Sequence, residues 1–202
     1  MITVVDYGLG NLQNVQSALN FLDLAYEVDI DGSLVGKAEI CLIPGVAAFG
    51  EGIRGLRARG QAQAICDLAL EGRQIVGLCL GAQMLFERSE ESPNIQGLGI
   101  ISGSVVKLQP GSVRVPNQGW SKVTSTDNFA GGIESLDNYF YFSHGYQMKP
   151  NNSSILMATM TESSTTISAV VRQGNVTGVQ FHPERSGPAG LELLRHLLKK
   201  AD

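Results

Sequence analysis

The chain is poor in the residues that mark specialised classes. Of its 202 residues only three are cysteine (Cys41, Cys66, Cys79) and three histidine (His144, His182, His196). An odd set of cysteines without a C-x-x-C pair supports neither a disulfide framework nor a cysteine zinc site. No two histidines stand at metal-ligand spacing, so no metal is expected. No run approaches the ~18 apolar residues of a membrane span, and MITVVDYG lacks the basic flank of a signal peptide, so a cytoplasmic location is expected. Positive charge is also scarce. Fifteen Lys and Arg against 19 Asp and Glu leave a net charge of -4, which argues against nucleic acid or anionic lipid as the main partner.

What is present is an ordinary globular composition: 43% hydrophobic, 17% charged and 24 glycines. Ile2 to Asp6 is an apolar run that ends in YGLGN, after which Leu12, Val15, Leu19 and Leu22 recur at helical spacing. Glu39 to Ile43 predicts a second buried strand, closed by Pro44 and Gly45. Ile53, Leu56, Ile65 and Leu68 predict a helical region ending at Gly72. Gln74 to Leu78 predicts a third strand, feeding another helix from about Gly81. Apolar strands alternating with helices imply a mostly parallel sheet covered on both faces.

From Gly99 the character changes. IISGSVVKL, GWSKV, NYFYF, SILMATM, TTISAVV and TGVQF are short β-rich pieces between turn residues, and they predict antiparallel hairpins on the second half of the same sheet. A last helix is expected to carry Leu191, Leu194 and Leu198 on one face. With no linker or repeat, residues 1–202 read as one α/β domain.

Within QIVGLCLGAQMLFE, Cys79 stands between Gly77 and Gly81 where a strand meets a helix. Flanking glycines allow a sharp turn and leave the sulfur uncovered, and a helix behind it supplies unpaired N–H groups that favour a thiolate. Core packing is the ordinary fate of a free cysteine, and Cys41 and Cys66 fit it. The G-x-C-x-G context instead makes Cys79 a candidate nucleophile, which still needs a base. Near the other end an apolar strand delivers His182, Pro183 and Glu184. Residues two apart on an extended chain face the same side, so Glu184 can orient the His182 ring. His144 is a rival base without a nearby acid, and His196 reads as a helix-face residue.

GLCLGAQML, FHPERSG and PGVAAFGEG together resemble the class I, triad-type glutamine amidotransferases. YGLGNLQNVQSAL, RSEESPNIQGLGII, the GW of VPNQGW, YFYFSHGYQ and HPERSGPAGLELL are similar to the glutaminase subunits of imidazole glycerol phosphate synthase within that family. The resemblance implies a flavodoxin-like class I amidotransferase fold and hydrolysis of glutamine to glutamate and ammonia through a Cys79 thioester. His182 would serve as base and Glu184 as its orienter. Backbone N–H groups of Leu80 and of the Gly45-Val46-Ala47 turn would form an oxyanion hole, and Gly45, Gln83, Glu91, His144, Gly145 and Tyr146 would hold glutamine.

No G-x-x-x-x-G-K-[ST] phosphate loop occurs, and YGLGNLQ lacks the third glycine of a dinucleotide fingerprint, so no cofactor is expected. Free ammonia needs an acceptor elsewhere. The resemblance implies a (β/α)8 cyclase subunit as heterodimer partner, in allosteric contact through Asn11, Asn14, Asn117, Gln118, Trp120 and Arg185. The chain departs from the family pattern at three points: Asn117-Gln118 for His-Met, Ala47 for glycine, and Gly145 for Ser or Thr. The first keeps open an alternative acceptor, a surface-polysaccharide sugar. A non-catalytic regulatory subunit is a third reading, weakened by the filled triad.

Overall fold

The computed structural model describes residues 1–9, 11–109, 115–127, 136–162 and 165–199. Gly10 of the YGLGN turn lies outside them. Strand β1 (Ile2–Val5) is buried throughout and leads to helix α1 (Leu12–Phe21), whose first turn is capped by the Asn11 side chain accepting from the Asn14 N–H. The edge strand β2 (Tyr26–Asp29) follows, then β3 (Ile40–Ile43), α2 (Phe49–Ala58), α3 (Gln61–Leu70), β4 (Gln74–Leu78) and the five-residue α4 (Leu80–Met84). The strands β5 (Phe86–Ser89), β6 (Ile101–Lys107), β7 (Asn117–Ser125), β8 (Tyr139–His144), β9 (Tyr146–Pro150), β10 (Leu156–Glu162), β11 (Thr165–Gln173) and β12 (Val176–Val179) lead to α5 (Gly187–Leu197).

Nine strands form one sheet in the order β2-β1-β3-β4-β12-β11-β10-β7-β8. It is parallel from β2 to β12 and antiparallel from there to β8. Two apolar cores flank it, one including α1 and α5 (Leu19, Leu193, Leu194, Leu197) and one α2, α3 and α4 (Ile53, Leu56, Ile65, Leu68, Met84). Among the described residues no helix is long and apolar enough to cross a membrane.

Four local expectations change. The 49–70 region is two helices, because Gly60 takes φ +69° between them, a left-handed value that ends the first. The helix after Cys79 stops at Met84. The apolar run Met84-Leu85-Phe86 suits either period, and pairing of Phe86 with Ile101 makes it a strand. IISGSVVKL does not join the main sheet: β5, β6 and β9 form a separate three-stranded sheet. On α5 Leu194 and the C-cap Leu198 are buried as expected, Leu191 is only partly buried, and Leu193 and Leu197 join the buried face.

Glycine spacing sets how α4 meets the sheet. A Cβ at Gly81 would collide with the main-chain carbonyl oxygen of Ile43 at the end of β3. One at Gly77 would meet the Cα of Ala82 at 2.7 Å. Backbone therefore packs on backbone directly behind Cys79. Substituting Gly81→Ala forces α4 off β3, and we expect a loss of about 2 kcal/mol or more in urea unfolding, together with altered alkylation of Cys79. A variant as stable as wild type with unchanged Cys79 reactivity would show that this contact positions nothing.

Candidate active site

Three parallel strands end side by side: β3 before Pro44-Gly45, β4 before Cys79 and β12 before Gln180-Phe181-His182. The carboxyl edge of a parallel sheet is where loops converge on a ligand. The sheet then coils so that its far edge returns to this place. Phe140 of β8 stacks on Phe181 at 4.2 Å between ring centroids, and the His182 N–H donates to the Tyr141 carbonyl at 2.9 Å. That closure carries Ser143, His144 and Gly145 to the end of β4.

Cys79 caps α4 with φ 52° and ψ -107°, a conformation that L residues resist at a cost of roughly 1–3 kcal/mol. It is held there by its N–H to the Val179 carbonyl at 2.7 Å and by the glycine contacts behind it. The side chain is 6% exposed. Its sulfur lies 4.0 Å from the Ser143 carbonyl oxygen and 3.9 Å from Gln180 Nε2. Cys41 and Cys66 behave differently. Burial and then the nearby Asp29 push the Cys41 thiol up to about 12, while burial and Asp67 raise that of Cys66. Both remain thiols.

His182 Nδ1 pairs with Glu184 Oε1 at 2.9 Å, both side chains being 4% exposed. The other ring nitrogen, Nε2, is buried without a hydrogen-bond partner, as is Glu184 Oε2. Burial opposes a charged ring. Interactions with Cys79 and Glu184 outweigh it and raise the His182 pKa to about 10. His144 is the reverse case. Its Nδ1 donates to the Tyr146 carbonyl at 2.7 Å, so its Nε2 accepts from Asn117 Nδ2 at 3.1 Å. Burial, with the nearby His182 adding to it, lowers its pKa to about 4 against the opposing bond to Tyr146. His144 is thus a neutral, saturated imidazole.

A pocket of about 250 Å³ opens on the sulfur, lined by Val46, Ala47, Cys79, Leu80, Gln83, Glu91, Ser143, His144, Gly145 and Tyr146. That suits a ligand well below drug size. Gln83 commits both Nε2 hydrogens inward, to the Tyr146 carbonyl at 2.9 Å and to Gln180 Oε1 at 3.1 Å, so its carbonyl oxygen is what it can offer a ligand. Glu91 accepts from the Phe49 N–H at 2.7 Å, which satisfies the start of α2. Gly45 lies below Leu80, its absent Cβ leaving room for Leu80 Cβ and the Tyr7 hydroxyl.

Trp120 (56% exposed) and Arg185 share the ring of Tyr141: Trp120 meets it edge-on at 6.3 Å between centroids, and the Arg185 guanidinium lies over it at 4.1 Å. Gln118 and Asn11 are exposed, Asn14 is half-buried, and α1 packs on the Pro183–Arg185 turn. Asn117 is placed differently, 5% exposed with its amide on His144.

Three residues at the site have no role assigned from their sequence motifs. Tyr7, 1% exposed, donates its hydroxyl to the Pro44 carbonyl at 2.9 Å, immediately before the Gly45-Val46-Ala47 turn. Its phenol is held protonated by burial, then by Cys79 and Asp6. Ser143 contributes only a main-chain carbonyl. Gln180 is a lone polar residue between apolar neighbours in VQF, and that was its one available signal.

The family model for glutamine amidotransferase class-I matches residues 3–201. Over 197 residues the chain is 40% identical to the imidazole glycerol phosphate synthase subunit HisH of Rhodopirellula baltica, covering 96% of this chain and 95% of that one. It is 34% identical to the HisH of Methanothermobacter thermautotrophicus, covering 98% of each, and 34% identical to that of Bacillus subtilis, covering 100% and 97%. Among solved structures, a crystal structure of a glutamine amidotransferase superposes with a TM-score of 0.76 at 18% identity, covering 98% of this chain and 97% of the other. PurLQS from Thermotoga maritima superposes at 0.70 and 22% identity, covering 98% and 96%. These two establish the fold.

His144 has a consequence for stability. It is neutral in the folded state down to about pH 4 but takes a proton near pH 6.5 when unfolded. Its contribution is complete above pH 6.5 and is lost as pH falls toward 4, by on the order of 2–3 kcal/mol. Urea midpoints between pH 7 and 4.5 should fall less steeply for His144→Gln than for wild type, and parallel slopes would contradict this. For the Tyr7 hydroxyl, Tyr7→Phe leaves the buried Pro44 carbonyl without its donor and should cost about 1–3 kcal/mol in the same assay. An unchanged midpoint would remove that constraint from the turn.

Proposed function

Because this chain belongs to the class I glutamine amidotransferases, and within them to the HisH subunits of imidazole glycerol phosphate synthase, we propose that it is the glutaminase of a two-component synthase, acting as a single amidotransferase domain. It hydrolyses glutamine to glutamate and ammonia, and the ammonia serves histidine biosynthesis. The observation that carries the assignment of roles is the contrast between the two buried histidines. His182 keeps Nε2 unpartnered beside Cys79 with Glu184 on Nδ1, whereas His144 has both nitrogens bonded.

In the proposed reaction the Cys79 proton passes to His182 Nε2, where the raised pKa of the ring holds it, and the sulfur then attacks the side-chain amide carbon of glutamine. The carbonyl oxygen becomes an oxyanion, received by the N–H groups of Leu80 and of the Val46-Ala47 turn. His182 returns the proton to the amide nitrogen, the C–N bond breaks and ammonia leaves, with a glutamyl thioester on Cys79. Water then gives a proton to His182 and its oxygen attacks the thioester carbon. Collapse expels the sulfur, which regains the proton, and glutamate is released. Glu184 fixes the ring and supports its charge throughout.

Glu91, the one carboxylate among the pocket's lining residues, suits the α-ammonium group of an amino-acid ligand. Gly45, Gln83, His144, Gly145 and Tyr146 shape the rest of the pocket. His144 holds the Tyr146 carbonyl without exchanging protons.

The acceptor is a (β/α)8 cyclase subunit, paired with this chain as a heterodimer in the cytoplasm, that makes imidazole glycerol phosphate and AICAR. Asn11, Asn14, Gln118, Trp120 and Arg185 offer a surface for it next to His182, while Asn117 contributes through His144. The alternative acceptor, a surface-polysaccharide sugar, has no support among relatives named for the synthase.

Glutamate release, measured with and without the cyclase and its nucleotide ligand, tests the reading. Cys79→Ala should abolish release, and His182→Asn should lower kcat by about a thousandfold or more. His144→Gln should cost far less. Full release by Cys79→Ala would refute the nucleophile, and equal losses for the two histidine variants would refute the choice of base.

A further inference from the structure

Gln180 plays no part in the scheme above, yet it is 0% exposed and its amide touches the reacting sulfur. A buried primary amide is costly unless its groups are paired. Here the pairing fixes its orientation. Oε1 accepts from Gln83 Nε2, whose other hydrogen goes to the Tyr146 carbonyl, so a flipped Gln180 amide would set two NH2 groups face to face. The main chain is also held, the Gln180 N–H donating to the Ala169 carbonyl at 2.9 Å. With Oε1 so occupied, Nε2 is the end of the amide that faces Cys79 Sγ, 3.9 Å away, and one of its hydrogens can reach the sulfur.

The sulfur therefore lies between an acceptor, the Ser143 carbonyl at 4.0 Å, and a donor, Gln180. The carbonyl suits the S–H form. The amide suits the ionised form, because hydrogen bonds to a charged acceptor are shorter and roughly twice as strong as neutral ones. The titratable groups near the sulfur are His182 backed by Glu184, Tyr7 with its proton retained, the neutral His144 and, in the pocket lining, Glu91. Gln180 adds an uncharged donor that persists when His182 gives up its proton.

Resting on the assignment of Cys79 as nucleophile, we infer that Gln180 is a further catalytic residue. Its Nε2–H donates to Cys79 Sγ and stabilises the ionised sulfur in line with the pocket, and Gln83 locks it in that orientation. It acts before acylation and weakens its hold once the sulfur becomes a neutral thioester.

The test is the pH dependence of Cys79 alkylation by iodoacetamide, followed by mass spectrometry of the Cys79 peptide. Gln180→Met keeps the length of the side chain and removes the donor. Its alkylation midpoint should rise by about one unit, a roughly tenfold slower reaction below the midpoint, and kcat for glutamine should fall about 10- to 100-fold with KM within about threefold. Gln180→Glu places a carboxylate against the sulfur and should raise the midpoint further. Unchanged midpoints in both folded variants would overturn the inference.

If neither variant folds, the wild-type protein with 15N in its glutamine side chains decides. The Gln180 amide signal should shift through the Cys79 midpoint, and a flat signal refutes the contact. Alkylation does not depend on the substrate. A wild-type protein with a normal alkylation profile and no glutamate release would refute the glutaminase reading alone.

Discussion

The approach of α4 to the ends of β3 and β4 at backbone distance is the constraint on which the site depends. Gly77 and Gly81 permit it, and Cys79 between them takes a positive φ as the result. A residue with that backbone conformation has few ways to relax, so the sulfur is presented at one point and in one direction. The five-residue helix behind it supplies N–H groups of its first turn at the same point. The strain is maintained by a core that would have to come apart to release it.

The second condition is closure of the sheet. The strands β4 and β12 that lead to Cys79 and His182 are neighbours, and His182 follows the end of β12 by three residues. His144 comes from β8 at the far edge of the sheet, which folds back over Phe181, and Tyr146 starts β9 of the separate three-stranded sheet, which packs on α4 and β11. The antiparallel half thus forms one wall of the site. The two buried histidines, similar in burial, take opposite chemical characters from their neighbours: a carboxylate and a sulfur for His182, two neutral partners for His144.

The sequence carried much of this. The bend at Cys79 between glycines, and the pairing of His182 with Glu184 two residues on, were readable because local geometry alone, an elbow and a strand alternation, dictates their placement. The parallel half was readable from its apolar runs. What escaped was set at a distance. The short α4 and the detached β5-β6-β9 sheet depend on pairing that no window of residues reveals. Asn117, expected at a partner surface, turns inward because β7 pairs with β8 in a register that puts it opposite His144. Gln180 looked like one polar residue in an apolar strand, and only its contacts give it a function.

The central claim is that Cys79 carries the substrate as a glutamyl thioester formed with His182 as base. Rapid acid quench of the complex during turnover of glutamine, followed by peptide mass spectrometry, tests it most directly. The account predicts a glutamyl adduct on Cys79 that hydroxylamine releases as the γ-glutamyl hydroxamate and that His182→Asn fails to accumulate. Glutamate formation with no adduct on Cys79, or with the adduct on another residue, would contradict it.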